Sequence, residues 1–180
     1  MQFDTKFAIV VADDLPTWQK LNVVSFLSGG VTQTPQVTTG QTYCDASGQG
    51  YLPLCVQPII VLKANRDKLS TFVQRANRQQ VDTAIFIDDM FQSGNDEANR
   101  KTVYQYETSQ LPLVGIAMFG DKTLVDKVFK GANYTISPPS QPLKRTISKE
   151  RLELWQYFSL LVAASTLYIS QLGRLESPPH

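Results

Sequence analysis

Lys6-Phe7-Ala8-Ile9-Val10-Val11-Ala12-Asp13-Asp14-Leu15-Pro16-Thr17-Trp18-Gln19-Lys20-Leu21-Asn22-Val23 is the stretch on which the fold turns. Its first part, Phe7 to Ala12, is short, apolar without interruption and partly β-branched. Such a run predicts a strand buried on both faces. Asp13-Asp14-Leu15-Pro16 stops it, and Asp14 is expected to cap a helix that tolerates Pro16 in its first turn. Trp18, Leu21, Val24 and Leu27 then recur at helical spacing, and Gly29-Gly30 is expected to end the helix. The chain therefore opens strand, loop, helix.

The same alternation continues outward. Residues 31–41 read as a loop, and Thr42-Tyr43-Cys44 and Tyr51–Val56 flank a small hairpin. Ile59-Ile60-Val61-Leu62 predicts a second long strand. Asn65 caps a helix over 66–80 whose inner face is Leu69, Phe72, Val73 and Ala76. Thr83–Ile87 is a third strand, halted by Asp88-Asp89. A helix over 97–107, a strand from Leu113 to Met118 and a helix over 121–130 follow. Alternating strands and helices imply an α/β domain, read as a three-layer α/β/α arrangement. It is placed at residues 1–136, with the hairpin excursion at about 31–55. Pro138, Pro139 and Pro142 mark a linker over 137–147, and Ser148 begins a long terminal helix and tail over 148–180. That helix has coiled-coil-like spacing and is expected to pack on the domain or on a second subunit, making a homodimer. Its polar residues argue against a membrane span.

Composition narrows the chemistry. The 180 residues are 42% hydrophobic and 18% charged, with a formal charge of +1. That balance disfavours bulk electrostatic capture of nucleic acid. The single histidine, His180, leaves no histidine base for a catalytic triad and no His-rich metal site. Two cysteines, Cys44 and Cys55, give no disulfide scaffold. The start of the chain lacks a basic segment followed by a long apolar run, so a cytoplasmic address with reduced thiols is expected. The glycines fit no nucleotide-binding pattern, and no cofactor or metal is expected.

Two acidic pairs stand where ligands commonly bind in open α/β sheets, at the carboxyl ends of strands. They are Asp13-Asp14 and Asp88-Asp89. If their strands are parallel and adjacent, the pairs meet. Lys20 would lie between carboxylates, with Asn22 close by, and would favour their charged forms. The loop Phe91–Arg100 adds Ser93, Glu97, Asn99 and Arg100 as candidate binding groups. Asn95 or Asp96 is expected to cap the helix there, with Glu97 and Arg100 paired on its surface.

The opening stretch, Asn95-Asp96-Glu97-Ala98-Asn99-Arg100, and Val125-Asp126-Lys127-Val128-Phe129-Lys130-Gly131 resemble the bacterial family called domain of unknown function 2000. Gln57–Ala64 and Ala84–Asp89 resemble strands of the archaeal and eukaryotic type of peptidyl-tRNA hydrolase. That resemblance implies a compact α/β/α domain with a four-stranded mixed sheet, often dimeric, cleaving an ester on tRNA without a cofactor. It implies that Lys20, across a one-residue gap, matches a functional lysine. Asp89 matches a functional aspartate, and Ser93 falls at a threonine position. The hydrolase's Gly- and Lys-rich motif is replaced by Trp18-Gln19-Lys20-Leu21.

Two functional readings follow. In the first, an ester or amide hydrolase, Lys20 polarises the scissile carbonyl and Asp89 or Asp14 orients water, with Ser93 and Asn22 as hydrogen-bond partners. tRNA is a weak candidate partner, because the acidic pairs repel it. In the second, a non-catalytic module binds a small ligand or a protein. There the acidic edge with Asp13 and Asp88 grips a cationic or amine-bearing molecule.

Overall fold

The computed structural model describes residues 3–135; the linker over 137–147 and the terminal helix over 148–180 lie outside the described residues. In chain order the elements are β1 (Thr5–Ala12), α1 (Thr17–Val31), β2 (Tyr43–Cys44), β3 (Gly50–Tyr51), β4 (Ile59–Ala64), α2 (Arg66–Arg78) and β5 (Thr83–Ile87). A 3-10 turn, Asp88–Phe91, leads to α3 (Asp96–Val103), β6 (Leu113–Asp121), α4 (Lys122–Val128) and β7 (Asn133–Tyr134).

The sheet is mixed and five-stranded, in the order β5-β6-β1-β4-β7, and not four-stranded as the sequence suggests. The additional strand is β7, two exposed residues antiparallel to β4 through Leu62–Tyr134 and Lys63–Asn133. A strand this short has no periodicity to read; only its pairing defines it. β1 is central, parallel to β4 and antiparallel to β6, and residues 7–12 are at most 1% exposed. β2 and β3 form the separate small hairpin.

α2 follows its sequence pattern closely. The Asn65 side chain accepts from the Lys68 amide at 3.0 Å, satisfying one orphan donor of the first turn. Leu69, Phe72, Val73 and Ala76 are buried, and the Phe72 ring meets Phe129 edge-on. α2 and α4 pack against β1 and β6 and against each other, while α1 packs against β1, β5 and β6.

α1 departs from its pattern in three ways. Asp14 does not cap it; the N-cap is Pro16, which offers no side-chain acceptor. The helix runs through Gly29-Gly30 to Val31, because Val31 is still buried on the sheet. Its inner stripe is Val23, Leu27 and Val31, whereas Trp18 and Leu21 are 62% and 64% exposed. Gly115 explains the choice. A Cβ there would lie 2.4 Å from Val23 Cγ1 and 2.9 Å from Leu27 Cδ1, so the bare backbone of β6 seats this stripe.

Candidate functional site

β5 runs parallel to β1 with β6 between them, so the carboxyl ends of β1, β4 and β5 share one sheet edge. The acidic pairs stand on that edge although their strands are not adjacent. Asp13-Asp14 follow β1, and Asp88-Asp89 begin the 3-10 turn after β5.

The cation between the carboxylates is Arg66, not Lys20. Arg66, the first residue of α2, donates from Nε to Asp14 Oδ2 at 2.8 Å and from Nη1 to Asp88 Oδ2 at 2.5 Å. The bond to Asp88, and then that to Asp14, holds the guanidinium above the usual arginine pKa. Arg66, Asp14 and Asp88 are 39%, 52% and 45% exposed, so water screens this bridge. Lys20 Nζ donates instead to the Asp13 carbonyl at 2.8 Å and pins the loop after β1. Among the described residues no ion pair joins Lys20 to Asp14 or Asp89, and Asn22 and the Asp13 carboxylate make no side-chain hydrogen bond. No three His, Cys, Asp or Glu side chains converge as a metal ion requires, among the described residues.

Asp89 sits apart from the Arg66 bridge and accepts from the Tyr106 hydroxyl at 3.3 Å. Burial first, and the Asp89 charge second, push the Tyr106 phenol above its usual pKa. Ser93 turns inward on its own loop. Its hydroxyl donates to the Met90 carbonyl at 3.0 Å and meets the Asn99 side-chain amide. Asn95 caps α3 by accepting from the Ala98 amide at 2.9 Å. The expected Glu97–Arg100 pair is replaced by two pairs at the next helical spacing, Asp96 with Arg100 and Glu97 with Lys101. Cys44 is exposed and Cys55 half-buried, and both are free thiols.

Beyond this edge lies a groove of about 540 Å³ between α1, β5 and α3. Phe26, Leu27, Phe86, Met90, Val103 and Tyr104 make it apolar, and Asp96, Asn99 and Arg100 give it one polar side. An aromatic line joins it to the acidic edge. Trp18 meets Phe91 at 5.9 Å, Phe91 meets Phe86 at 5.2 Å, and Phe86 meets Phe26 at 5.8 Å between ring centroids. Phe26 is 61% exposed and Tyr104 92%. Asn99 and Arg100, picked out in the sequence, thus belong to the groove and not to the acidic edge. Arg66, Phe26, Phe86 and Tyr104 join the site without a motif that marks them in the sequence. Arg66 opens the helix that follows β4, and only the parallel pairing of β4 with β1 brings it to this edge. Phe26 carries a readable signal, as a large apolar residue off the buried stripe of its helix.

The family model described as Protein of unknown function (DUF2000) matches residues 5–135. A solved structure of a protein of unknown function from Agrobacterium tumefaciens strain C58 is 38% identical, with a TM-score of 0.72. The match covers 75% of this chain and 100% of that one. None of the curated proteins matches the chain.

Proposed function

The chain belongs to the family Protein of unknown function (DUF2000), and from that premise we propose that it is a non-catalytic binding module. Its α1–β5–α3 groove takes a small amphipathic molecule with an aromatic or apolar body and an anionic end. The observation that carries this reading is the groove itself. Its volume of about 540 Å³ lies in the range of small-molecule sites, and polar groups stand on one side only. Phe26 and Phe86 offer ring faces to the apolar body, and Asn99 and the Arg100 donors not spent on Asp96 stand at the other end.

The groups a hydrolase would use are engaged elsewhere. Lys20 holds a backbone carbonyl, Asp14 and Asp88 share Arg66, and Ser93 donates its proton to Met90. That arrangement favours binding over turnover.

The probe is 8-anilinonaphthalene-1-sulfonate, an aromatic anion, followed by its fluorescence with the folded full-length chain. Saturable binding is expected, weakened about tenfold by Phe26→Ala and by Arg100→Gln, in line with about 1.4 kcal/mol each. Phe26 is exposed enough for its truncation to leave the core intact. Binding unaffected by either change would overturn the groove. Hydrolysis of a peptidyl-tRNA by the protein, abolished by Lys20→Met, would overturn the non-catalytic reading.

A further inference from the structure

A second cavity, of about 520 Å³, opens at the sheet end opposite the acidic edge, where β5 begins and β6 finishes. Through Thr5, Gln36 and Phe119 it continues into a recess of about 250 Å³ that reaches Gln57. It shares only Gly30 and Ala84 with the α1–β5–α3 groove. The excursion after α1 builds part of its wall, with Thr34, Gln36 and Thr38.

Its chemistry differs from that of the groove. Gln36, Gln79, Gln80 and Thr83 bring amides and a hydroxyl, Asp82 and Asp121 bring carboxylates, and no lysine or arginine side chain lines it among the described residues. α1 and α2 both end at this cavity, through Gly30-Val31 and Gln79-Gln80-Val81. The negative ends of these two helix dipoles add to the two carboxylates, and the positive end of the short α4, which also reaches the cavity at Leu124, is capped by Asp121. Asp121 spends one oxygen, Oδ1, on the Leu124 amide at 3.0 Å. Asp82 makes no hydrogen bond or ion pair among the described residues. A carboxylate or phosphate entering here meets the Asp82 and Asp121 carboxylates and no lysine or arginine among the lining residues. A protonated amine meets acceptors on several sides, with Phe119 as the apolar wall.

We propose that this cavity is a second ligand site, selective for a small protonated amine carried on a hydroxylated or amide-bearing body. It is independent of the groove: loss of either site leaves the other standing.

The test uses one ring in three charge states. The full-length protein is titrated with glucosamine, glucose and glucuronate while backbone amide resonances are followed by NMR. Glucosamine is expected to shift Gln80, Thr83 and Gly120 saturably, about tenfold tighter than glucose, as one charge-assisted hydrogen bond implies. Glucuronate is expected to leave them unmoved. Asp82→Asn should bring glucosamine down to the affinity of glucose. A Cβ on Gly120 meets nothing within 4 Å, so Gly120→Ala is expected to fold and bind as before. Phe26→Ala leaves glucosamine binding unchanged. No saturable shift with glucosamine, equal affinity for the three sugars, or shifts confined to Phe26 and Tyr104 would each overturn the proposal.

Discussion

Arg66 Nη1 stands 2.5 Å from Asp88 Oδ2, tying the start of α2 to the turn after β5 across the edge that β1 also reaches. The same guanidinium holds Asp14. Removing it in Arg66→Met leaves two carboxylates on one edge with no shared cation. Because all three side chains are more than a third exposed, the expected loss is modest, about 1 kcal/mol, and it shrinks in high salt. Urea unfolding at low and high ionic strength measures it. A loss that is independent of salt would show that the bridge acts through packing of the arginine stem and not through charge.

Gly115 faces the α1 stripe so closely that any side chain there is overpacked. Gly115→Ala is expected to destabilise the fold by about 1–3 kcal/mol, since its Cβ would lie 2.4 Å from Val23 Cγ1. Val23→Ala alone also destabilises, by removing a fully buried side chain. The double variant should recover part of the summed loss, because the two changes share one space. Strict additivity in denaturant unfolding would refute the contact.

These two relationships mark what the sequence could and could not show. α2 was legible because its signals are local. Asn65 caps the first turn, and Leu69, Phe72, Val73 and Ala76 repeat at the helical period. β5 was legible for the same reason, with an apolar run cut off by Asp88-Asp89. The stripe of α1 was not, because Trp18 and Leu21 fit a helical period as well as Val23 and Leu27 do. The choice depends on Gly115, more than eighty residues away in the chain and brought beneath α1 only by β6. Strand order was hidden in the same way. The placement of β6 between β1 and β5 is a tertiary fact, and with it went the identity of the cation at the acidic edge. Sequence spacing favours Lys20 as the bridge and gives Arg66 only as the start of a helix, whereas Lys20 serves the Asp13 carbonyl.

Gln80 adopts φ 53, in the left-handed region, immediately after the last turn of α2. The Val81 amide reaches back to the Ala76 carbonyl at 3.1 Å, and the Gln80 amide to Asn77 at 3.1 Å, closing the helix end. Glycine adopts this backbone without strain, while an L side chain pays for it. Gln80→Gly is therefore expected to stabilise the protein by about 0.5–1 kcal/mol, after the greater freedom of glycine in the unfolded chain is deducted. Thermal or urea unfolding tests the sign. Destabilisation would mean that the Gln80 side chain contributes contacts worth more than the strain of its backbone.

Asp45 organises the tip of the β2–β3 hairpin through its carboxylate. Oδ1 accepts from the Ser47 amide at 2.9 Å and the Gln49 amide at 3.0 Å, and Oδ2 accepts from the Tyr51 hydroxyl at 2.9 Å. The Gln49 amide first, then the Tyr51 hydroxyl, hold its pKa below the ordinary 3.8. A lowered carboxylate pKa means that the unfolded hairpin binds the proton more readily than the folded one. The contribution to hairpin order is therefore fully present above 3.8, the ordinary value, and is lost as pH falls through the folded value. NMR titration of the Ser47 and Gln49 amides should show their shifts holding through pH 4 and collapsing below it. In Tyr51→Phe the collapse should begin at higher pH, because one of the groups that favours the charged form is gone. Amides that titrate at the same pH in both proteins would show that the two backbone donors set the Asp45 pKa without the tyrosine.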